Sequence, residues 1–145
     1  MMARRRWLPM TILFVLMGSL ANGQGSAALT PAQGTAFLGT WVIDMTEPAG
    51  FKGTHTVRIW ERNGVVVASL QAGAPFAIEA TGIHKDGGML VLTFSHNAKP
   101  KPLLENGAPI WAVISLTLDG ETIKVAQMLE RSQTIKRGTG KKQMD

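Results

Sequence analysis

Side chains that commonly perform chemistry are few in this chain and show no catalytic spacing. The three histidines, His55, His84 and His96, form no metal-ligand pattern such as His-Glu-x-x-His. No serine of the domain stands in the Gly-x-Ser-x-Gly turn of a hydrolase nucleophile. The 145 residues include no cysteine, which excludes a disulfide framework, a thiolate metal site and a cysteine nucleophile. We therefore predict a non-catalytic protein with no metal and no cofactor.

A second group of side chains could bind a small apolar or amphipathic molecule. Aromatic and aliphatic groups would form an apolar wall, and a guanidinium would suit an acidic head group. The candidate ligand-binding residues are Arg58, Trp60, Phe76, Phe94, Leu103, Leu104 and Trp111. Arg58 and Trp60 share one face of a strand whose other face carries Val57 and Ile59. Because Val57 and Ile59 make the better core face, a surface position for the Arg58–Trp60 pair is favoured.

The charge of the chain lies mostly near its two ends. The formal net charge is +5, of which residues 1–28 contribute +3 and residues 136–145 another +3, which leaves −1 for residues 29–135. A nucleic-acid reader carries a basic face on its folded body. We therefore predict no nucleic-acid partner.

The first residues have the composition of a secretory signal peptide. Arginines at positions 4–6 precede a mostly apolar run over residues 7–20, and small or polar residues follow as far as position 28. The run of 14 residues is shorter than the ~20 that span a membrane as a helix. We predict that residues 1–28 are removed after Ala28, or alternatively after Gly23, and that the protein is exported to the periplasm or the exterior. An uncleaved N-terminal anchor is the alternative.

Period-two alternation of apolar residues dominates the chain after position 37. It predicts eight strands, at residues 38–44, 54–61, 64–71, 75–83, 89–94, 110–118, 121–129 and 131–137. Asn63-Gly64 and Asp119-Gly120 are strong hairpin-turn signals. We read residues 95–109 as a long loop and residues 138–145 as a flexible basic tail.

Eight short strands joined by tight turns favour an all-β domain over residues 29–137, an eight-stranded antiparallel up-and-down barrel. Closure of such a barrel removes the exposed sheet edges and leaves an interior that side chains or one small ligand can fill. A two-sheet sandwich remains an alternative. An outer-membrane barrel needs ~10-residue strands and aromatic girdles. The chain has no tyrosine, so we do not expect an integral membrane protein.

The first predicted strand contains Gly39-Thr40-Trp41, preceded by Phe37-Leu38. A Gly-x-Trp sequence on the first strand of an eight-stranded meander resembles the lipocalins and their calycin relatives. The resemblance implies that Trp41 closes one end of the barrel and that a basic residue near the end of the last strand packs over it. Arg137 is the matching position. The chain departs from the lipocalin pattern in lacking a disulfide, a helix after the barrel and a second lipocalin motif.

Three functions are compatible with these observations. The first is binding of a small apolar or amphipathic ligand in the barrel lumen, with an opening near residues 95–109. The second is an envelope protein with a packed core that acts through surface protein–protein contacts, with Leu103-Leu104 or Trp60 as the exposed apolar patch. The third is a small barrel enzyme, whose polar residues would come from the set His55, His84, His96, Glu79 and Arg58.

Overall fold

An antiparallel β-sheet, curled into a half-barrel, forms the body of the protein. The computed structural model describes residues 28–50, 52–132 and 134–144. A short helix α1 (Pro31–Gly34) and a 3-10 turn (Thr35–Phe37) precede the strands. The strands are β1 (Gly39–Glu47), β2 (Gly53–Arg62), β3 (Val65–Gln71), β4 (Ile78–Glu79), β5 (Gly82–Asp86), β6 (Met89–Phe94), β7 (Leu103–Glu105), β8 (Ala108–Ile110), β9 (Ala112–Asp119), β10 (Thr122–Leu129) and β11 (Lys136–Lys142).

Nine of these strands form one sheet in the order β4-β3-β2-β1-β11-β10-β9-β6-β5, while β7 and β8 form a separate hairpin. The two edge strands, β4 and β5, are consecutive in the chain. Ala80 N donates to Ala68 O of β3 at 2.8 Å, and the next residue, Thr81, donates its N–H to Thr93 O of β6 at 2.7 Å. Neighbouring residues therefore bond to strands near opposite edges of the sheet, which requires the sheet to be strongly curled.

The two ends of the curled sheet differ in their connections. At one end, here called the base, the chain turns tightly at residues 63–64, 87–88 and 120–121. At the other end, here called the mouth, the connections are longer, at residues 48–52, 72–77, 95–111 and 130–135. The backbone at Asn63 and Gly64 has φ of 55° and 80°, as the Asn-Gly hairpin signal predicts. The longer loops make the mouth the more adaptable end.

The prediction of an all-β antiparallel meander is confirmed, with nine strands in the main sheet instead of eight. The additional strand arises because the segment predicted as one strand, 75–83, changes partners at residues 80–81 and gives β4 and β5. The loop predicted at 95–109 contains β7 and most of β8, whose last residue, Ile110, is the first residue of the strand predicted at 110–118. The φ of Asn106 is 52° and that of Gly107 is 80°, a second Asn-Gly turn.

The last strand was misplaced by the sequence prediction. The structure has no regular strand at 131–135 among its described residues, and β11 covers most of the predicted flexible tail 138–145. Glycines occupy two of its inward positions: a Cβ at Gly140 would lie 2.8 Å from Ile123 Cγ1 and 2.9 Å from Ile43 Cγ1. The inward face of β11 is therefore marked by small residues and not by apolar ones, so the alternation rule missed it.

Apolar side chains from β1, β2, β3, β6, β9 and β10 fill the interior. The largest fully buried side chains are Phe37, Phe94, Ile43, Ile59, Leu70, Leu90, Leu92, Ile114, Leu116, Ile123 and Val57. Full burial of one such side chain contributes ~1.5–3 kcal/mol. Dense packing in one continuous cluster compensates for the absence of disulfides.

At the base, Gly39, Trp41 and Lys142 form one packed unit. Gly39 has a φ of 128°, and a Cβ there would lie 2.4 Å from Lys142 Cε. Trp41 pairs with Lys142 in the β1–β11 register, and Lys142 Nζ lies 5.7 Å from the Trp41 ring centroid. The prediction of Arg137 over Trp41 is wrong, because Arg137 pairs with Glu47 at the mouth. The physical cause is the later position of the last strand.

The segment before β1 packs against β3, beside an opening that Gly82 and Ile83 of β5 also line. Leu29 is buried, its carbonyl oxygen accepts a hydrogen bond from Val66 N at 2.8 Å, and Gly34 packs against the Val66 side chain. The predicted signal peptide, apart from Ala28, lies outside the described residues. Within the described part of the chain, no helix has the length and apolar character needed to cross a membrane.

Candidate functional site

A cleft of about 220 Å³ opens at the mouth between the β3–β4 connection and the β7–β8 hairpin. Most of its lining is apolar. The residues that line this mouth cleft are Leu70, Ala72, Ala74, Phe76, Ile78, Lys101, Pro102, Leu103 and Leu104. An apolar concave surface with one polar group is the usual character of a small-molecule site.

Backbone and side-chain hydrogen bonds hold both walls of the mouth cleft. On one wall, Gln71 Nε2 donates to Ala74 O at 3.0 Å and shapes the turn after β3. The loop that leads to the other wall is tied to β4, because Glu79 N donates to Lys99 O at 2.8 Å. Leu103 pairs with the buried Ile110 across the hairpin and packs against the core. The cleft is therefore built by the fold before any ligand arrives.

One cation stands at the edge of the mouth cleft. Lys101 Nζ lies 5.7 Å from the centroid of the Phe76 ring, within the range of a cation–π interaction. The methylene stem of Lys101 adds apolar surface to the wall while its ammonium group stays exposed. Leu104, the next residue of the lining after Leu103, is 56% exposed.

Three of the seven predicted ligand-binding residues, Phe76, Leu103 and Leu104, meet in the mouth cleft. The other four lie elsewhere. Arg58 and Trp60 are on the outer face of β2, where Arg58 Cζ stacks 4.7 Å from the Trp60 ring centroid. Phe94 is fully buried in the core, and Trp111 is the single residue between β8 and β9.

Trp111 belongs to a separate polar contact at the mouth. The backbone N–H of Trp111 donates to Glu130 Oε2 at 3.3 Å, and the same oxygen lies 2.9 Å from His96 Nε2. The hydrogen bond from His96 is the main cause that lowers the pKa of Glu130. This contact ties the beginning of the 95–109 segment to the end of β10. Sequence reasoning missed it because its partners are 34 residues apart.

Three further side chains at the mouth carry buried polar atoms. Within the described part of the chain, His55 Nδ1, Glu105 Oε2 and Gln127 Oε1 are buried without a hydrogen-bond partner. We call His55, Glu105 and Gln127 the mouth polar layer. Burial is the largest cause that lowers the pKa of His55, and the nearby charge of Lys136 is the second. His55 is therefore neutral at pH 7.

The polar residues proposed for an enzyme do not face a common site. His84 is exposed on β5, Glu79 forms an ion pair with Arg62 on the outer surface, and His55 faces the interior. His96 is engaged with Glu130. Among the described residues, no group of three or more His, Asp or Glu side chains could hold a metal ion.

A larger open cleft, of about 680 Å³, lies at the base. Trp41 and Leu118 supply its apolar floor, but Lys142 already packs over the Trp41 ring. Its outer wall includes Met144, which is 87% exposed and follows the last strand. None of the seven predicted ligand-binding residues lines this cleft. The mouth cleft, whose walls are held on both sides, is the better-built site.

The chain matches no protein-family model, no curated protein and no solved structure. Its resemblance to the lipocalins and calycins therefore depends on Gly39-Thr40-Trp41 and on the curled antiparallel sheet alone. The class that the structure defines is a small all-β protein built on an antiparallel half-barrel.

Proposed function

We propose that this protein binds a small apolar or amphipathic molecule in the mouth cleft and performs no chemistry on it. The main support for this proposal is that Phe76, Leu103 and Leu104 line the same apolar cleft. The interior below the cleft is filled by buried side chains in the described part of the chain. The ligand therefore lies at the mouth and not deep in the lumen.

The expected affinity depends on how much alkyl surface the cleft buries. Each buried methylene contributes ~0.8 kcal/mol, which corresponds to about a fourfold change in Kd. A series of alkyl compounds of increasing chain length should therefore bind progressively tighter until the cleft is filled. Beyond that length, added methylenes remain in water and the gain should stop.

A neutral fluorescent probe, N-phenyl-1-naphthylamine, tests the site directly. Its fluorescence should rise on binding, and Phe76→Ala or Leu104→Ala should weaken binding several-fold. Leu104 is already 56% exposed, so its truncation should leave the fold intact. Trp60→Ala is the matched control, because Trp60 lies on the outer face of β2. Absence of probe binding, or an equal loss in the Trp60 variant, would contradict the proposal.

We propose a closed lipocalin-like barrel, which is supported by the bonds of Ala80 and Thr81 to strands near opposite edges and by the packing of Lys142 over Trp41. We also propose export, which is supported by the sequence pattern of residues 1–28.

A second candidate is an envelope protein that acts through surface contacts with another protein. The packed interior and the 56% exposure of Leu104 favour it. Native mass spectrometry of the exported protein separates the two candidates. A retained small molecule, lost in Phe76→Ala, supports the ligand-binding function, whereas a retained protein partner and no small molecule supports the second.

A further inference from the structure

The mouth polar layer differs from the rest of the interior in its chemistry. Among the described residues, Gln127 is the one buried polar side chain, at 5% exposure, and it sits on the inward face of β10 with Ile123 and Val125. His55 occupies the inward row of β2 with Val57 and Ile59. Below this layer the interior is apolar.

The strand register places His55 of the mouth polar layer beside the mouth cleft. Thr56 pairs with Gln71, so His55 lies next to Ala72, which lines the cleft. Across the hairpin, Leu103 lies opposite the buried Ile110, and Glu105 lies two residues further along the same face. Leu103, which lines the cleft, and Glu105, which carries a buried unpaired oxygen, therefore share one face of the hairpin.

The three unpaired atoms of the layer can each accept a hydrogen bond. Amide oxygen Oε1 of Gln127 and carboxylate oxygen Oε2 of Glu105 can only accept, and the neutral His55 ring accepts through Nδ1 when its proton is on Nε2. A buried polar atom without a partner is costly. A group that donates to one of them would remove part of that cost.

The charges around the layer favour a neutral group. Gln127 pairs in register with Lys136, whose positive charge also reaches His55, while Glu105 supplies a negative charge. A carboxylate group on the ligand would be repelled by the Glu105 carboxylate, and an ammonium group would be repelled by Lys136. A hydroxyl group donates a hydrogen bond and carries no charge.

We propose that the mouth polar layer holds the hydroxyl head group of an uncharged amphipathic ligand, whose apolar part lies in the mouth cleft. This inference rests on the proposed ligand-binding function and names the class of ligand. Long-chain alcohols are the simplest members of that class.

The test compares decanol with decyl methyl ether, which has a similar apolar chain and accepts but cannot donate a hydrogen bond. The affinity of each compound is measured by its ability to displace N-phenyl-1-naphthylamine from the full-length protein. We expect decanol to bind at least ~10-fold more tightly than the ether, as expected for satisfying one buried acceptor. Decanoate and decylamine should both bind more weakly than decanol.

Two variants test whether the mouth polar layer causes the preference for decanol over the ether. Gln127→Leu replaces an acceptor by an apolar group of similar size and should reduce the preference for alcohol over ether several-fold. Glu105→Gln keeps the size of the hairpin side chain and should reduce it as well. Gln143→Leu, at the exposed base end, is the matched control and should keep the full preference.

The outcomes distinguish the two proposals. If decanol and the ether displace the probe equally, the layer is filled by water alone and the inference is overturned, while the cleft remains a binding site. Tighter binding of decanoate than of decanol overturns it in favour of an anion site. If neither compound displaces the probe and the probe itself does not bind, the proposed function fails with it.

Discussion

Replacement of Gly140 by alanine tests whether close packing between β11 and its neighbours holds the sheet together. The added Cβ would lie 2.8 Å from Ile123 Cγ1, 2.9 Å from Ile43 Cγ1 and 3.1 Å from Ile123 Cδ1. Real Cβ atoms essentially never approach other heavy atoms below 3.0 Å. Ile43 and Ile123 are 1% and 0% exposed, so neither can swing into solvent.

The expected cost follows from two opposing effects. Overpacking of a filled core costs ~1–3 kcal/mol. Replacement of glycine by alanine also restricts the unfolded chain, which returns about 0.4–1 kcal/mol. We therefore expect Gly140→Ala to lower the free energy of unfolding by ~1–2 kcal/mol. Urea unfolding monitored by tryptophan fluorescence measures it.

Gly88→Ala is the matched control, because a Cβ there meets no atom within 4 Å. It should leave stability unchanged or raise it slightly. Adding Ile123→Ala to Gly140→Ala should restore space. The double variant should therefore lose at least ~1 kcal/mol less stability than the sum of the losses in the two single variants. If Gly140→Ala is as stable as Gly88→Ala, the close-packing explanation of β11 is wrong.

The remaining predictions concern the base, the interior histidine and the mouth contact. Lys142→Ala should destabilise the fold by ~1 kcal/mol and shift the tryptophan emission, because it uncovers Trp41, whereas Arg137→Ala should change stability by less than ~0.5 kcal/mol in the same urea titration. The folded pKa of His55 is below its ordinary value of about 6.5, so the unfolded chain binds the proton first as pH falls. The free energy of unfolding should therefore decrease as pH drops below about 6.5, and His55→Phe should make that dependence shallower. Glu130→Gln should increase hydrogen exchange in the segment after β6, because it weakens the contact with His96. Unchanged exchange in that variant would show that the contact does not restrain the segment.

Apolar alternation predicted most of the fold because it reports directly which strand face is buried. It failed at β11, where the inward positions are glycines, and at β7–β8, where two prolines masked an Asn106-Gly107 turn. Neither failure reflects weak strands. In both places the residues that specify the strand are turn formers or small residues, which a rule based on hydrophobicity ignores.

The candidate site was only partly predictable from the sequence. Phe76, Leu103 and Leu104 could be proposed because apolar residues in polar surroundings need a docking surface. The mouth polar layer could not, because its members come from β2, β7 and β10, whose relative positions are set only by the complete fold. His55 and Gln127 became significant only when the curl placed both on the interior.

The pairing of β1 with β11 has a consequence for when this protein can fold. Trp41 and Lys142 are partners across 101 positions of the chain, so the first strand stays unpaired on that side until the last strand is made. Long-range pairings of this kind form slowly. The β1–β11 contact therefore cannot form before residues 136–142 are available, and the part of the sheet that depends on it assembles late.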